Sequence, residues 1–581
     1  MVKNILSFIQ KIEDAIPLYH ITFFVLIGLI VYFRVFFNGF VWDDQDQIVN
    51  NPLIQHISNF FYFFTGSTFA TGGAAQALAG AFYRPFLSIV FTFIFSVWGL
   101  NPFGFHLFDV TLHIVNTILM FFLIKRVLNL EKLQYSQTAA FVVVSLYLVH
   151  PANVESVAYI SATSELMYVF FLLVGLLTTL SFCLKKHTSF IQLSIIFFAI
   201  LASLFSKESG ILSIVLILVL SWLYFRNKFV LLLITCVSSL GVYSFFRFNI
   251  ASLSSNQQLS PIPIAHASLT ERIFTVPYEL FSYLRLIFFP KDLHISQVDL
   301  ITNASDYRFS ISLVIVFVSF IILGVILLKS KSDKKLNLFF LLWFFTSIAL
   351  VLNIIPLDFT IAERWLYLPL VGFFGMVALL ISEVLSSNKS FQKIIIFCIL
   401  FLFFIFFSLR SMIRTANWQN PLTLFSHDAV LSNNSAELLN NYGVALYTAG
   451  DHGKAREEFA RALRLAPDNL WTLNNLGSIY AQEGNYKKAK SLYEKSIQKS
   501  PTSTAYENLA QIYSLTEKPS ETFSFVKQAL ITFPNSAKLN QLAALSSQAI
   551  HATDEARMYA QKSLILDSSS ENINTLKQII K

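Results

Sequence analysis

Charge is scarce in this sequence. Asp, Glu, Lys and Arg make up 13% of its 581 residues, about half the share usual in a soluble chain, while 55% are hydrophobic and 61 are Phe. With a mean hydropathy of +0.60, most of the chain takes lipid as its solvent, because a water-soluble fold of this size does not hide so much apolar surface. Cysteine is nearly absent. Cys183, Cys236 and Cys398 all stand in apolar runs, which excludes a disulfide framework. The basic excess is small, +8, and gathers at the ends of apolar runs, where it orients membrane segments. That distribution excludes nucleic acid as a partner.

What is there divides in two. Apolar runs fill the chain to about residue 410, and from Asn417 onward the sequence is polar and rich in helix formers. The expected organisation is a membrane domain over 1–415, a linker over 416–435, a repeat domain over 436–570 and a tail over 571–581. The repeats are periodic: Gly443, Gly477, Ala510 and Ala544 recur at 33 or 34 residues, as do Ala462, Ser496, Ala529 and Ser563. Pro467, Pro501 and Pro534 form a third column, with Ser568 in the fourth place. Small residues at fixed offsets let paired helices approach closely, and the proline ends each second helix. This is the tetratricopeptide period, with units at 436–469, 470–502, 503–536 and 537–570.

In the membrane part, eleven runs are candidate spans: 18–37, 103–124, 136–149, 164–184, 190–206, 209–225, 229–247, 309–329, 337–355, 366–384 and 393–409. Loops carrying Lys125/Arg126/Lys132, Lys185/Lys186, Arg226/Lys228, Lys329/Lys331/Lys334/Lys335 and Lys389/Lys393 alternate with loops poor in positive charge and mark, with Lys3 and Lys11, the cytoplasmic side. Two further runs, 85–100 and 272–290, read as helices at the interface, the first inside an outer loop over 38–102. The fold class expected is therefore all-α, a polytopic helical bundle followed by an α-solenoid, with the repeats on the outer side.

Strong polar groups collect at the outer span ends: Asp43, Asp44, Arg84, His106, Asp109, His113, His150, Glu155, Glu165, Lys207, Glu208, Glu363 and Arg364. Ionisable groups at that depth cost several kcal/mol unless hydrated or paired, so they mark function by default. For Lys207–Glu208 and Glu363–Arg364 a local ion pair is the plain alternative, and His106 and His113 are expected to hydrogen-bond within the bundle. The position of these groups at one surface, rather than along a path at mid-membrane, argues against a transporter.

In order, the chain carries WDDQ at 42–45, YRPFLSIVF, GLNPFGFHLFDVTLH, HPANVESVAYIS, SLFSKESGI, FFPKDL, AERWLYLPLVGF and WQNPLTLFSHDAV, and then the repeats. This succession closely resembles the transmembrane-and-tetratricopeptide-repeat O-mannosyltransferases and their bacterial relatives of the type-C glycosyltransferase fold. The resemblance implies a polyprenyl-phosphate sugar donor, an acid in the first outer loop and transfer on the extracytoplasmic face. It implies Asp43 as the base, and Asp44 as a group that orients acceptor and base. The chemistry then needs cations to steady a departing phosphate, with Arg84, Lys207 and Arg364 as candidates and His150, Glu155, Glu208 and Glu363 supporting them. A divalent metal at Asp43 and Asp44 is the alternative, though relatives using a lipid monophosphate generally do without, and no cofactor is expected. One departure stands out: the stretch at 160–165 has no Arg, and Glu165 replaces an Asp common in the family.

Tyr442, Asn474, Asn475 and Asn508 fall on the first helices of the repeats, which line the groove of such arrays. They are expected to hold an extended acceptor. The expected location is a bacterial cytoplasmic membrane, with the endoplasmic reticulum as the alternative. Outside catalysis, the rival reading is a silent membrane anchor for a repeat scaffold. The charge pattern makes one prediction. In a background lacking the three thiols, cysteines at positions 46 and 520 should react with an impermeant maleimide from outside, and one at 333 should not. Opposite labelling of 46 and 520 would mean that an interfacial helix spans.

Overall fold

The computed structural model describes residues 2–68, 82–251, 263–295, 297–330, 333–357, 359–432, 434–567 and 569–580. Part of the expected 38–102 loop and the repeat position Ser568 thus lie outside the described residues. The chain forms two compact units, Met1–Ser432 and Asn433–Lys581.

In the first unit all eleven apolar runs fold as helices. Among the described residues, seven helices are long and apolar enough to cross a membrane: Pro17–Phe37, Pro102–Asn129, Ile160–Cys183, Arg226–Ile250, Tyr307–Lys329, Pro369–Ser386 and Ser390–Asn417. An eighth span is made if Ser136–Leu148 and Pro151–Ala158, bent by 54° at their junction, count as one. Phe190–Ser206, Ile211–Tyr224 and Lys334–Ala349 have 17, 14 and 16 residues. At about 1.5 Å per residue these fall short of a hydrocarbon core of roughly 30 Å. The two interfacial candidates are the helices Pro85–Trp98 and Leu269–Phe288.

Local chemistry sets many of the starts. Pro102 opens its helix behind the Asn101 side chain, which accepts from Phe103 N at 3.1 Å. Asp333 caps Lys334–Ala349, and Ser268 with Glu271 forms a reciprocal capping box. The unit extends past the expected boundary at 415, because Pro421–Leu431 is a further helix that belongs to it. Its Asp428, fully buried, takes the Arg414 guanidinium at 2.9 Å and Ile295 N at 2.8 Å, which ties the helix to the bundle.

The second unit is a run of helical hairpins: Ala436–Thr448 with His452–Leu465, Leu470–Gln482 with Tyr486–Lys499, Ser503–Thr516 with Pro519–Thr532, and Ala537–Ala549 with Thr553–Leu566. A terminal helix, Ser570–Ile580, follows. First helices are capped by Ser435, Asn469, Thr502 and Ser536, a column repeating with the hairpins. Gly450 and Gly484 make the intervening turns at φ +87° and +75°, where a side chain would be strained. Gly443 and Gly477 face aromatic rings: a Cβ at Gly477 would meet Tyr493 at 2.6 Å. Gly477→Val should therefore lower the stability of this unit by about 1–3 kcal/mol through overpacking. A melting curve of the isolated repeats unchanged by the substitution would refute that contact.

Candidate functional site

Asp43, Asp44, Arg84, His150, Glu155, Lys207, Glu208, Glu363 and Arg364 lie in the stretches that join the long helices, and Glu165 in the first turn of its helix, while His106, Asp109 and His113 lie inside Pro102–Asn129. Asp43 and Asp44 lie in the first of these stretches. The Asp44 carboxylate is fully buried and saturated. Its Oδ1 accepts from Ser161 N at 2.8 Å and Ser161 Oγ at 2.6 Å, and its Oδ2 accepts from Val41 N at 2.9 Å. Asp44 thus ties the first loop to the turn at 160–162. Burial pushes its carboxyl up to about 7, against the pull of those hydrogen bonds.

The latch places Asp43. Its Oδ2 accepts the Tyr159 hydroxyl at 2.7 Å, and the side chain is only partly buried. Trp42, held at a positive φ of 52°, stacks on Tyr159 with ring centroids 5.4 Å apart, and Trp418 stacks on Tyr159 at the same separation. A left-handed backbone at a bulky residue marks strain that surrounding packing must offset. Here it turns the Trp42 ring onto Tyr159 while Asp43 meets the phenol. Asp43 is therefore one carboxylate on a rigid aromatic mount, partly open to a ligand.

The cations come next. Arg364 forms an ion pair with the fully buried Glu155 through Nη1, and its backbone N also donates to Glu155 at 2.9 Å. Its guanidinium lies 5.6 Å from the Phe359 ring centroid and 5.9 Å from that of Trp365. Lys207 is paired with Glu165, not with its neighbour Glu208. Burial and the nearby charges of Arg84 and Arg364 hold its amine below lysine's usual value, while Glu165 raises it. Glu165 thus holds a lysine from the end of another helix. Glu208 goes instead to Arg84 at 3.1 Å and Arg247 at 3.3 Å. Arg84 and Arg364 thus both lie near enough to Lys207 to act on its charge.

Two supporting residues have other work. Glu363 pairs with Arg414 at 3.4 Å and not with Arg364, both partners being fully buried; burial pushes its carboxyl up to about 8 although Arg414 opposes this. His150 has both ring nitrogens on the backbone: Nε2 lies 3.1 Å from Ile287 O, and Nδ1 accepts from Ala152 N at 3.2 Å. It holds two loops together and has no ring nitrogen left for a ligand. His113 bridges the Tyr367 hydroxyl and Leu148 O within the bundle. Among the described residues, no group of three or more His, Cys, Asp or Glu is placed to hold a metal.

In the repeat unit, the asparagines form a ladder between hairpins. Asn475 Nδ2 donates to Asn440 at 3.0 Å, and Asn508 Nδ2 donates to Asn474 at 3.0 Å. Asn475 and Asn508 each donate to the preceding repeat, Asn474 accepts from the following one, and Asn474, Asn475, Asn508 and Tyr442 are all half-buried. Sequence reasoning missed Tyr159, Ser161, Arg247, Arg414 and Asp428. Tyr159, Ser161 and Asp428 stand inside motifs already singled out. Arg247 and Arg414 are cations at the polar ends of long apolar helices, Arg414 one turn after Arg410, which was the available signal.

The geometry defines the class: a polytopic membrane protein with a cluster of paired charges at one set of helix ends and a tetratricopeptide array. Residues 434–501 match the tetratricopeptide repeat family model. Over most of its length the chain is a homologue of protein O-mannosyl-transferases of the transmembrane-and-tetratricopeptide-repeat kind. It is 25% identical over 477 residues to one from Caenorhabditis elegans, covering 79% of this chain and 63% of that protein. With TMTC3 of Homo sapiens the identity is 23% over 511 residues, 82% of this chain and 55% of the relative. The matched stretch spans 55–63% of the length of these relatives. Among solved structures, a tetratricopeptide protein with a peptide-binding site, YrrB, is 16% identical and covers 27% of this chain and 81% of its own, with a TM-score of 0.24.

Two substitutions separate the aspartates. Asp43→Asn should abolish activity and leave melting nearly unchanged. Asp44→Asn turns an amide donor against Val41 N or Ser161, so it should lower the melting temperature. Because Asp44 titrates near 7 in the folded chain and about 3.9 unfolded, the folded state holds the extra proton between those values. Its contribution to stability is full below about pH 4 and is lost as pH rises through 7. Melting against pH should show that slope in the wild type and a flatter one in Asp44→Asn. Equal slopes would refute the latch.

Proposed function

We propose that this chain transfers a hexose, mannose by analogy with its relatives, from a polyprenyl-phosphate donor to a hydroxyl of a protein acceptor on the extracytoplasmic face. The observation that carries the reading is Asp43: a single carboxylate, mounted on Tyr159, in a loop next to a neighbourhood that holds Arg84, Lys207 and Arg364. A sugar on a lipid phosphate already has a good leaving group, so the protein needs to supply a base and counter-charge. Asp43 takes the proton of the acceptor hydroxyl as its oxygen bonds to the anomeric carbon. The bond from that carbon to the phosphate oxygen breaks, and the electron pair leaves with polyprenyl phosphate, whose charge the cations balance. Carboxylates on Arg364 and Lys207 keep both cations aimed in the absence of donor, which limits the reorganisation needed during reaction. No step in this scheme calls for a metal.

The repeats supply the acceptor's seat in this reading. Asn474, Asn475 and Asn508, aligned by their ladder, present remaining amide groups along the first helices, a spacing suited to an extended backbone of loose sequence. Purified full-length protein incubated with polyprenyl-phosphate mannose and a candidate acceptor should release polyprenyl phosphate and form glycosylated product. Neither product, from protein that melts cooperatively, would favour the silent scaffold. Truncation after residue 432 should raise KM for a protein acceptor severalfold and leave donor hydrolysis largely intact. Equal KM values would assign the repeats to spacing or assembly, with a glycan or lipid as acceptor.

A further inference from the structure

The loop that carries Asp43 is fastened to the far end of the membrane unit. The helix Ser390–Asn417 closes on Trp418, and the residues just before Asp43 bond to the chain around that turn. Arg34 Nη2 donates to Gln419 Oε1 at 3.1 Å, and Asn38 Nδ2 donates to Thr415 O at 3.1 Å. Gly39 N donates to Gln419 O at 2.9 Å. Arg34 and Gln419 are 385 residues apart in sequence, so the fold alone makes this contact.

A second connection runs through rings. Trp418, fully buried, stacks on Tyr159 with the planes 26° apart, and Trp42 stacks on the same ring at 14°. Phe359 meets Trp42 edge-on at 5.6 Å. Phe359, Trp42, Tyr159 and Trp418 thus form a column drawn from four separate connections between helices. A guanidinium stands at each end of it: Arg364 lies 5.6 Å from the Phe359 centroid and Arg414 lies 5.6 Å from that of Trp418. Both are held by carboxylates, Arg364 by Glu155 and Arg414 by Asp428 and Glu363. Trp418 Nε1 is buried and has no hydrogen-bond partner among the described residues, so ring contact orients the indole. A side chain kept only to fill space needs bulk; one kept to stack needs a flat face.

We propose that Trp418 is a positioning residue for Asp43, acting through the Tyr159 phenol, and that the turn after the last long helix is part of the reactive site. The Tyr159 hydroxyl meets Asp43 Oδ2 at 2.7 Å, and the direction of that bond follows the plane of the ring. Trp418 fixes the plane. A tilt of the ring would carry the hydroxyl off the carboxylate, and misplacement by about 1 Å at a reacting group can cost roughly a hundredfold in rate. The helix Pro421–Leu431 keeps the turn in place, because its Asp428 takes Arg414. The base therefore depends on a segment outside the long apolar helices. This assignment rests on the preceding reading for the reaction served, not for the hold on the loop.

The test uses the full-length chain in phosphatidylcholine nanodiscs, with polyprenyl-phosphate mannose and a candidate protein acceptor. Trp418→Leu, which keeps apolar bulk and removes the flat face, should lower kcat at least about tenfold and leave donor KM within about twofold. Trp418→Phe, which keeps a flat face and has no N–H to satisfy, should stay within about threefold of the wild-type kcat. Tyr159→Phe should lower kcat as Trp418→Leu does. The two combined should be no slower than the slower single variant, because both act on one contact. Falls that multiply in the double variant overturn the route through Tyr159. Wild-type kcat in Trp418→Leu overturns the proposal, as does an equal loss in Trp418→Phe. Hydrogen exchange of the amides at 39–47 needs no substrate: it should quicken at least about tenfold in Trp418→Leu and hold in Trp418→Phe. If Trp418→Leu fails to fold, Trp418→Met carries both measurements. That exchange difference, in a wild type that transfers no sugar, keeps the positioning role and removes the transferase. Transfer in the wild type, with kcat and exchange both unaltered in Trp418→Leu, keeps the transferase and removes the positioning role.

Discussion

A charge near the hydrocarbon of a bilayer is tolerated when a counter-charge meets it. Much of the first unit's polar end obeys that constraint, although the buried Asp109 meets a hydroxyl, that of Thr163, in place of a cation. Arg364 with Glu155, Lys207 with Glu165, Arg84 and Arg247 with Glu208, and Arg414 with Asp428 and Glu363 join loops far apart in sequence. Removing one partner of a buried pair costs roughly 3–5 kcal/mol because the other is left uncompensated. The pairs are therefore both the clamps that align the helix ends and the source of the charge available to a ligand.

Asp43 accepts the Tyr159 hydroxyl, and Tyr159 is itself held between Trp42 and Trp418. Asp44, one residue on, has three hydrogen-bond donors and no exposure. Adjacent acids thus divide the labour: the buried one fixes the loop, and the accessible one faces the solvent side. A carboxylate fixed in this way loses little freedom when a ligand arrives, which is what preorganised acid–base chemistry requires.

The repeat unit obeys a different rule, in which each hairpin needs its neighbour. Gly443 and Gly477 admit the rings of Phe459 and Tyr493, and the asparagine ladder runs from one first helix to the next. Because each asparagine amide is partly committed to an adjacent hairpin, its orientation is set before anything binds. Such preorganisation lowers the entropic cost of holding an extended chain.

By itself, the sequence determined the division of the chain and the helical character of both parts. Apolar runs, the 34-residue period and the sign of loop charges are local patterns, and Asp43, Arg84, Lys207 and Arg364 were legible because charge is so scarce around them. Tertiary structure decided the pairing. Sequence neighbours suggested Lys207 with Glu208 and Glu363 with Arg364, whereas the fold matches Lys207 with Glu165, Glu208 with Arg84 and Arg247, and Glu363 with Arg414. The physical reason is direction: consecutive residues at a helix end point to different faces, so each finds its counter-charge on whichever packed helix that face meets. The same cause hid Tyr159 and the inward turn of Asp44, which depend on Ser161 and Val41 arriving from two sides.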